Sequence, residues 1–218
     1  ADYSIDGFIS SDYRKVFAID VNAEGRYVTE WDNFRYNFSI RPRWRVSDRL
    51  IFFPALTIAN SFDERGFTTF SDDDIIFARR NRRDITTGLT ANLLFNENMN
   101  VTFRGRHNWS LVENKEFFNL NTDGGLDETA FNDNRDINFN IFNIDVVYRW
   151  RFAPSSEINL IWKNQIFAND NNLEFNYFTN FSDLFSNDQT NILTFKILYF
   201  LDYQDIRRTR STGANPGN

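Results

Sequence analysis

The chain has 218 residues, 41% of them hydrophobic and 25% charged, and its 24 Lys and Arg against 30 Asp and Glu leave a formal net charge of -6. That balance offers no case for nucleic-acid binding, and the absence of cysteine removes disulfides and thiolate metal sites while fitting an exported protein. It holds 25 Phe, 8 Tyr and 5 Trp at a mean hydropathy of -0.51, yet no apolar run approaches the roughly 20 residues of a transmembrane helix, so any crossing of a membrane is through strands.

In chain order, Ala1 to Asp12 is polar and weakly patterned, and reads as an irregular end. Ala1 opens without a signal-peptide pattern, as a mature protein or a fragment does. Phe17, Ile19 and Val21 alternate with Ala18, Asp20 and Asn22 as a first strand. Glu24 to Asn33 reads as a loop or strand tip. The second strand is the clearest: Phe34, Tyr36, Phe38, Ile40, Pro42, Trp44 and Val46 share one parity, with Arg35, Asn37, Ser39, Arg41, Arg43 and Arg45 on the other. Pro42 has no N–H to donate, so a missing ladder bond or a bulge is expected there.

Ser47, Asp48 and Arg49 make a tight turn into a third strand, Leu50 to about Ser61, whose register the adjacent Phe52 and Phe53 blur. A long connection is expected from Asp63 to Asp84, with Ile75, Ile76 and Phe77 as the upper end of a strand standing above a membrane. The fourth strand runs from Ile85 to Phe95, and Asn96, Glu97 and Asn98 turn it into a fifth with Met99, Val101, Phe103, Trp109 and Leu111 on its apolar parity. A second long connection follows from Glu113 to Asp136.

The sixth and seventh strands form the most legible hairpin. Phe142, Ile144, Val146, Tyr148, Trp150 and Phe152 oppose Asn143, Asp145, Arg149 and Arg151; after the Ala153-Pro154-Ser155-Ser156 turn, Ile158, Leu160 and Trp162 oppose Glu157, Asn159 and Lys163. Parity slips between Ile141 and Phe142, which predicts a β-bulge. A third long connection runs to Asn191, and an eighth strand carries Leu193, Phe195, Ile197, Tyr199, Leu201 and Tyr203 outward. Residues 204–218 read as a second irregular end.

Short connections at Ser47, Glu97 and Pro154 alternate with long ones, the arrangement of an outer-membrane barrel with its short periplasmic turns and long outer loops. The expected fold is therefore all-β, one transmembrane antiparallel β-barrel domain over residues 1–218. About eight strands lie in this chain, closed alone or as the C-terminal part of a larger barrel. A soluble antiparallel barrel or sandwich is the alternative.

The segments VYRWRFAPSSEINLIWKNQI, LTFKILYFLDYQ and IIFARRNRRDITTGLTANLLFNENMNVTFRGRHNWS, with the loop Asn121-Thr122-Asp123-Gly124-Gly125-Leu126, resemble the C-terminal outer-membrane β-barrel of a large uncharacterised family. Members of that family carry an N-terminal domain similar to family-9 carbohydrate-binding modules and are much longer than this chain. The resemblance implies a Gram-negative outer-membrane location and an association with carbohydrate, and brings no established activity.

On the barrel reading, Arg35, Arg41, Arg43, Arg45, Arg104, Arg106, Asp145, Arg149, Arg151, Lys163 and Asp202 face the lumen, with Asp20 and Glu157 among the compensating carboxylates. Trp44, Trp109, Tyr148, Trp150, Trp162, Tyr199 and Tyr203 form interfacial girdles. Phe117, Phe118, Phe175, Tyr177, Phe178 and Phe181 in the long connections are available to stack on sugars or on a partner protein. The single histidine, His107, shares parity with Phe103 and Trp109 and is expected to face lipid or the interface, with Ser110 on the opposite parity and so unable to serve with it as a nucleophile. Asn119 to Glu128 has oxygen ligands but misses the calcium-loop spacing. The expected function is non-enzymatic: ligand binding, transport, or membership of an outer-membrane complex. No cofactor or metal is expected, with lipid and other outer-membrane proteins as partners; an outer-membrane hydrolase is the alternative.

Overall fold

The computed structural model describes residues 1–201. Their antiparallel sheet contains ten strands: β1 (Asp2–Ser10), β2 (Phe17–Val28), β3 (Asn33–Arg45), β4 (Leu50–Ser71), β5 (Asp74–Asn96), β6 (Met99–Leu120), β7 (Leu126–Glu128), β8 (Ile137–Ala153), β9 (Ser156–Asp170) and β10 (Gln189–Leu198). A single helix among the described residues, α1 (Tyr177–Leu184), sits in the connection between β9 and β10. Neighbours in sequence are neighbours in the sheet, except that β7 pairs only the far end of β6 and β8 takes the place beside β6. The sheet is not closed: β1 and β10 are its two edges.

Three expectations about the strands need correction. The opening residues are not irregular, because Asp2 to Ser10 pairs with β2 in unbroken register from Asp2 with Val28 to Ser10 with Asp20. Asp63 to Asp84 is not a loop either: β4 and β5 continue as a ladder to Ser71 opposite Asp74, with only Asp72 and Asp73 between them. Backbone pairing survives there through two register shifts, at Ser61/Glu64 and Phe67/Thr69, which break the side-chain alternation that sequence reading depends on. Likewise Glu113 to Leu120 belongs to β6. The connections on the long side are thus mixed: Thr29 to Asp32 and Asp72 to Asp73 are tight, while the two later ones hold β7 and α1.

The tight reversals use residues that accept a left-handed backbone. Asp32 (φ 51°), Asp72 (φ 51°) and Ser155 (φ 54°) occupy turns, and Asp63 (φ 54°) occupies the β4 irregularity; a short polar side chain that bonds locally lowers the cost of this conformation. Pro42 fits its expected setting. The β3–β4 ladder has partners at Ile40 with Leu56 and at Trp44 with Phe52, but none for Arg41, Pro42 and Arg43. On the same register Pro42 would stand opposite Pro54, so neither strand has an N–H to offer at that rung.

The expected bulge at Ile141 and Phe142 is absent. Pairing of β8 with β9 is continuous from Asn138 to Arg151, and the irregularity lies at Arg151/Ala153 beside the turn. What changes at Asn140 and Asn138 is side-chain chemistry, not register: both lie on the same face as Phe142, for a reason given by α1.

Candidate functional site

Strand alternation divides the sheet into two chemically distinct faces. Register fixes their membership: Tyr27 pairs Phe34, Phe34 pairs Phe62, Trp44 pairs Phe52, Phe103 pairs Val146, Val146 pairs Trp162 and Trp162 pairs Leu193, all on one face. Much of this apolar face is uncovered. Trp44 is 50% exposed, Leu160 41%, Leu193 71% and Phe195 61%.

The opposite face is charged. Arg35, Arg41, Arg43, Arg45, Arg104, Arg106, Asp145, Arg149, Arg151 and Lys163 all lie on it, because Asp20 pairs Arg41, Arg104 pairs Asp145, Asp145 pairs Lys163 and Arg151 pairs Glu157. Asp202 lies outside the described residues. Oppositely charged neighbours meet here: Arg106 lies 3.6 Å from Asp145, Arg149 3.8 Å from Glu157, and Arg35 3.8 Å from Glu24. Asp20 accepts instead from Ser10 at 2.7 Å and from the Tyr13 hydroxyl. On this same face a cavity of about 330 Å³ opens between β2, β3, β4 and β5, lined by residues that include Glu24, Arg35, Asn37, Ser61, Glu64, Arg82 and Asp84. Asn37 carries a buried Oδ1 without a hydrogen-bond partner among the described residues.

Above the cavity the tall β4–β6 ladder is held by ion pairs. Arg79 reaches Asp63 at 2.8 Å and Glu116 at 3.0 Å, Arg80 reaches Glu64 at 2.7 Å, and Lys115 lies 3.8 Å from Asp63. Donating to Asp63 and then to Glu116 holds the Arg79 guanidinium above its usual pKa. A Cβ at Gly66 would collide with the Arg80 guanidinium, so glycine is what lets that side chain cross the strand to Glu64.

The helix α1 covers one patch of the apolar face. Asn176 caps the helix, accepting from the Phe178 and Thr179 N–H groups at 2.9 and 3.2 Å. Tyr177 and Phe181 then pack inward: the His107 ring lies 5.5 Å from Tyr177 and 4.9 Å from Phe181, and Phe142 lies 5.6 Å from both Phe181 and Phe185. Beneath the helix is a connected polar network. His107 Nε2–H donates to Asn140 Oδ1 at 3.1 Å, and the Tyr177 hydroxyl donates to His107 Nδ1 at 3.0 Å while accepting from Thr87 at 3.0 Å. That tautomer follows because the Asn140 amide nitrogen is already donating to Asn138 Oδ1 and Asn180 Oδ1. Trp109 Nε1–H and Asn180 Nδ2–H both donate to Asn138 Oδ1, at 3.1 and 3.0 Å.

Two site expectations change accordingly. His107 and Trp109 do lie on the apolar face, but each is only 1% exposed, sealed by a helix that strand alternation does not reveal. Both ring nitrogens of His107 are engaged within the fold. The loop aromatics also divide: Tyr177 and Phe181 pack inward, Phe117 and Phe118 belong to β6 and meet Phe131 and Arg65, and Phe175 and Phe178 stay exposed. Of the girdle residues, Trp44, Tyr148, Trp150 and Trp162 lie on the apolar face. Tyr199 stacks on Phe152 at 6.1 Å, and Tyr203 is outside the described residues. Asn121 to Gly125 forms a turn in which Asn121 N–H donates to Gly125 O, and Gly124 has φ 87°.

No curated protein matches the chain. A family model described as Domain of unknown function (DUF5916) matches residues 1–210. With nearly the whole chain matched, the protein belongs to the DUF5916 family.

Proposed function

We propose that this chain forms wall of a Gram-negative outer-membrane β-barrel, with the aromatic face against lipid and the charged face toward the interior. The observation that carries the reading is the largely uncovered apolar face that runs across β2 to β10, broken among the described residues by α1 and by the polar pairs Asn60–Arg83 and Asn164–Asn191. Large side chains such as Leu193 and Phe195 at 71% and 61% exposure forgo much of the roughly 1.5–3 kcal/mol that full burial of each contributes. Repeated over a whole face, this needs a covering medium, and a bilayer supplies one while a polar interior accommodates the arginine and carboxylate rows. Strands of 12–17 residues (β2, β3, β8 and β9) exceed the roughly 9–11 that a tilted strand needs to cross.

The role is non-enzymatic: binding or transport of a polar ligand along the charged face, carbohydrate among the candidates, or membership of an outer-membrane complex. Full engagement of His107 inside the network, remote from the charged-face cavity, argues for a structural histidine. The test is quenching of tryptophan fluorescence by brominated lipids. After reconstitution, Trp44, Trp150 and Trp162 should be quenched, and a protein that stays in the aqueous phase with unquenched tryptophans would overturn the reading. Conductance in planar bilayers then separates transport from a scaffold that co-purifies with other membrane proteins.

A further inference from the structure

The helix α1 lies across the apolar face with its two flanks unlike. At 3.6 residues per turn, Phe178 and Phe185 fall on one flank together with the edge of Phe181, while Asn176, Asn180 and Asp183 fall on the other. Contacts with β8 orient these flanks along the strands. Phe181 and Phe185 meet Phe142, which is nearer the short Pro154 turn, whereas Asn180 bonds to Asn140 and Asn138, which are nearer the long connections. The aromatic flank therefore points down toward the uncovered apolar face, and the amide and carboxylate flank points up, into a polar recess of about 330 Å³ lined in part by Asp170, Asn172 and Asn187.

The height of the helix matches this polarity. Its floor, His107, stands eight residues above Met99, which pairs Trp150 at the short-turn end. At about 3.3 Å per residue and a tilt of about 35–45°, that is roughly 19–22 Å, close to the upper margin of an apolar band about 25 Å tall. Phe178 is 79% exposed, Phe175 55% and Phe185 45%, so the outer side of the aromatic flank is left open even though Phe185 touches Phe142 and Phe181.

We infer that α1 is an interfacial helix, seated at the outer edge of the lipid-facing surface with Phe178 and its flank in the acyl boundary and Asp183 in the headgroup water. This rests on the membrane reading of the apolar face and adds the position of its upper limit. An amphipathic helix lying at such a boundary buries its apolar side a few ångströms into the lipid. The Asn138, Asn140 and His107 group follows from it, since polar side chains at that level of an outward face need the helix to satisfy them.

The chain has no cysteine, so single variants carry a nitroxide label at one place. Phe178→Cys, Asp183→Cys and Leu160→Cys would be labelled in the full chain, reconstituted in phosphatidylcholine vesicles, and probed for collision with oxygen and with a water-soluble nickel chelate. The oxygen-to-nickel ratio should be several-fold higher at positions 178 and 160 than at 183. A nickel-dominated label at 178 beside an oxygen-dominated one at 160 would overturn the seat of α1 and leave the barrel reading standing. Nickel dominance at 160 would overturn both. A label at 178 shielded from both reagents would mean that protein, a second copy or another chain, covers the flank, and would also refute the inference.

Discussion

Replacing Leu160 by Arg separates a lipid-facing wall from a water-facing one. Leu160 lies four residues from Ser156 at the β8–β9 turn, on the apolar face opposite Tyr148 and Phe195. Four residues of tilted strand rise about 9–11 Å, which puts the side chain near the middle of a 25 Å band, where an arginine on the lipid face costs about 2–4 kcal/mol. That corresponds to a loss of about 30- to 900-fold in the folding equilibrium. The matched control is Thr194→Arg, one residue from Phe195 on the charged face and already exposed, which should change stability by less than about 0.5 kcal/mol. Reversible guanidinium unfolding of the bilayer-inserted protein, followed by tryptophan emission, measures both. In water Leu160 is a 41% exposed surface residue and its replacement would be nearly neutral, so equal and small effects of the two variants would refute the lipid-facing assignment.

Asn140→Ala should destabilise the α1 patch by about 1–3 kcal/mol, because it removes the acceptor of His107 and leaves buried polar groups unpaired; amide exchange in residues 177–184 should rise while that in β3 does not. Asn176→Ala should cost about 1 kcal/mol through loss of the helix cap, and the same exchange measurement should report it with no change in β8. Gly66→Ala should expel the Arg80 guanidinium from its path to Glu64, lowering stability toward guanidinium and exposing the Ser71–Asp74 end of the hairpin to limited proteolysis. Arg80→Ala should lower stability in the same direction, and if the clash is the mechanism, adding Gly66→Ala to it should have little further effect.

Alternation made β3, β8 and β9 legible because each keeps one apolar and one polar parity through most of its length, so period alone places the strands and assigns their faces. It failed where the chemistry ceased to alternate while the backbone went on pairing. Arg79, Arg80, Arg82 and Arg83 occupy both sides of a continuous β5, and β1 is short, its alternation of Tyr3, Ile5 and Ile9 with Asp2, Ser4 and Asp6 blurred by Gly7 and Phe8, although it pairs fully. The helix was hidden by its brevity, eight residues in an Asn-, Asp- and Phe-rich connection. Its signal was present in Asn176 as a cap and in Tyr177, Phe181 and Leu184 at helical spacing. A second signal lay in β8. Asn138 and Asn140 interrupt an apolar parity, and the interruption reads as a bulge until a helix is laid over it. The strand alternation assigned His107 to the correct face, but parity cannot show what lies on top of a face.

The two prolines near the bottom of β3 and β4 leave a small gap in an otherwise continuous hydrogen-bonded fabric, at Arg41 to Arg43. Arg41 and Arg43 still pair Asp20 and Ala18 of β2, so it is the Pro42 and Pro54 carbonyls that lack a strand partner and turn to water. A watertight wall would thus have its leakiest point low on this seam, and protons or small solutes would find their shortest detour there. Restoring the rung from one side, with Pro42→Val, should close it and slow deuterium uptake by the amides on either side.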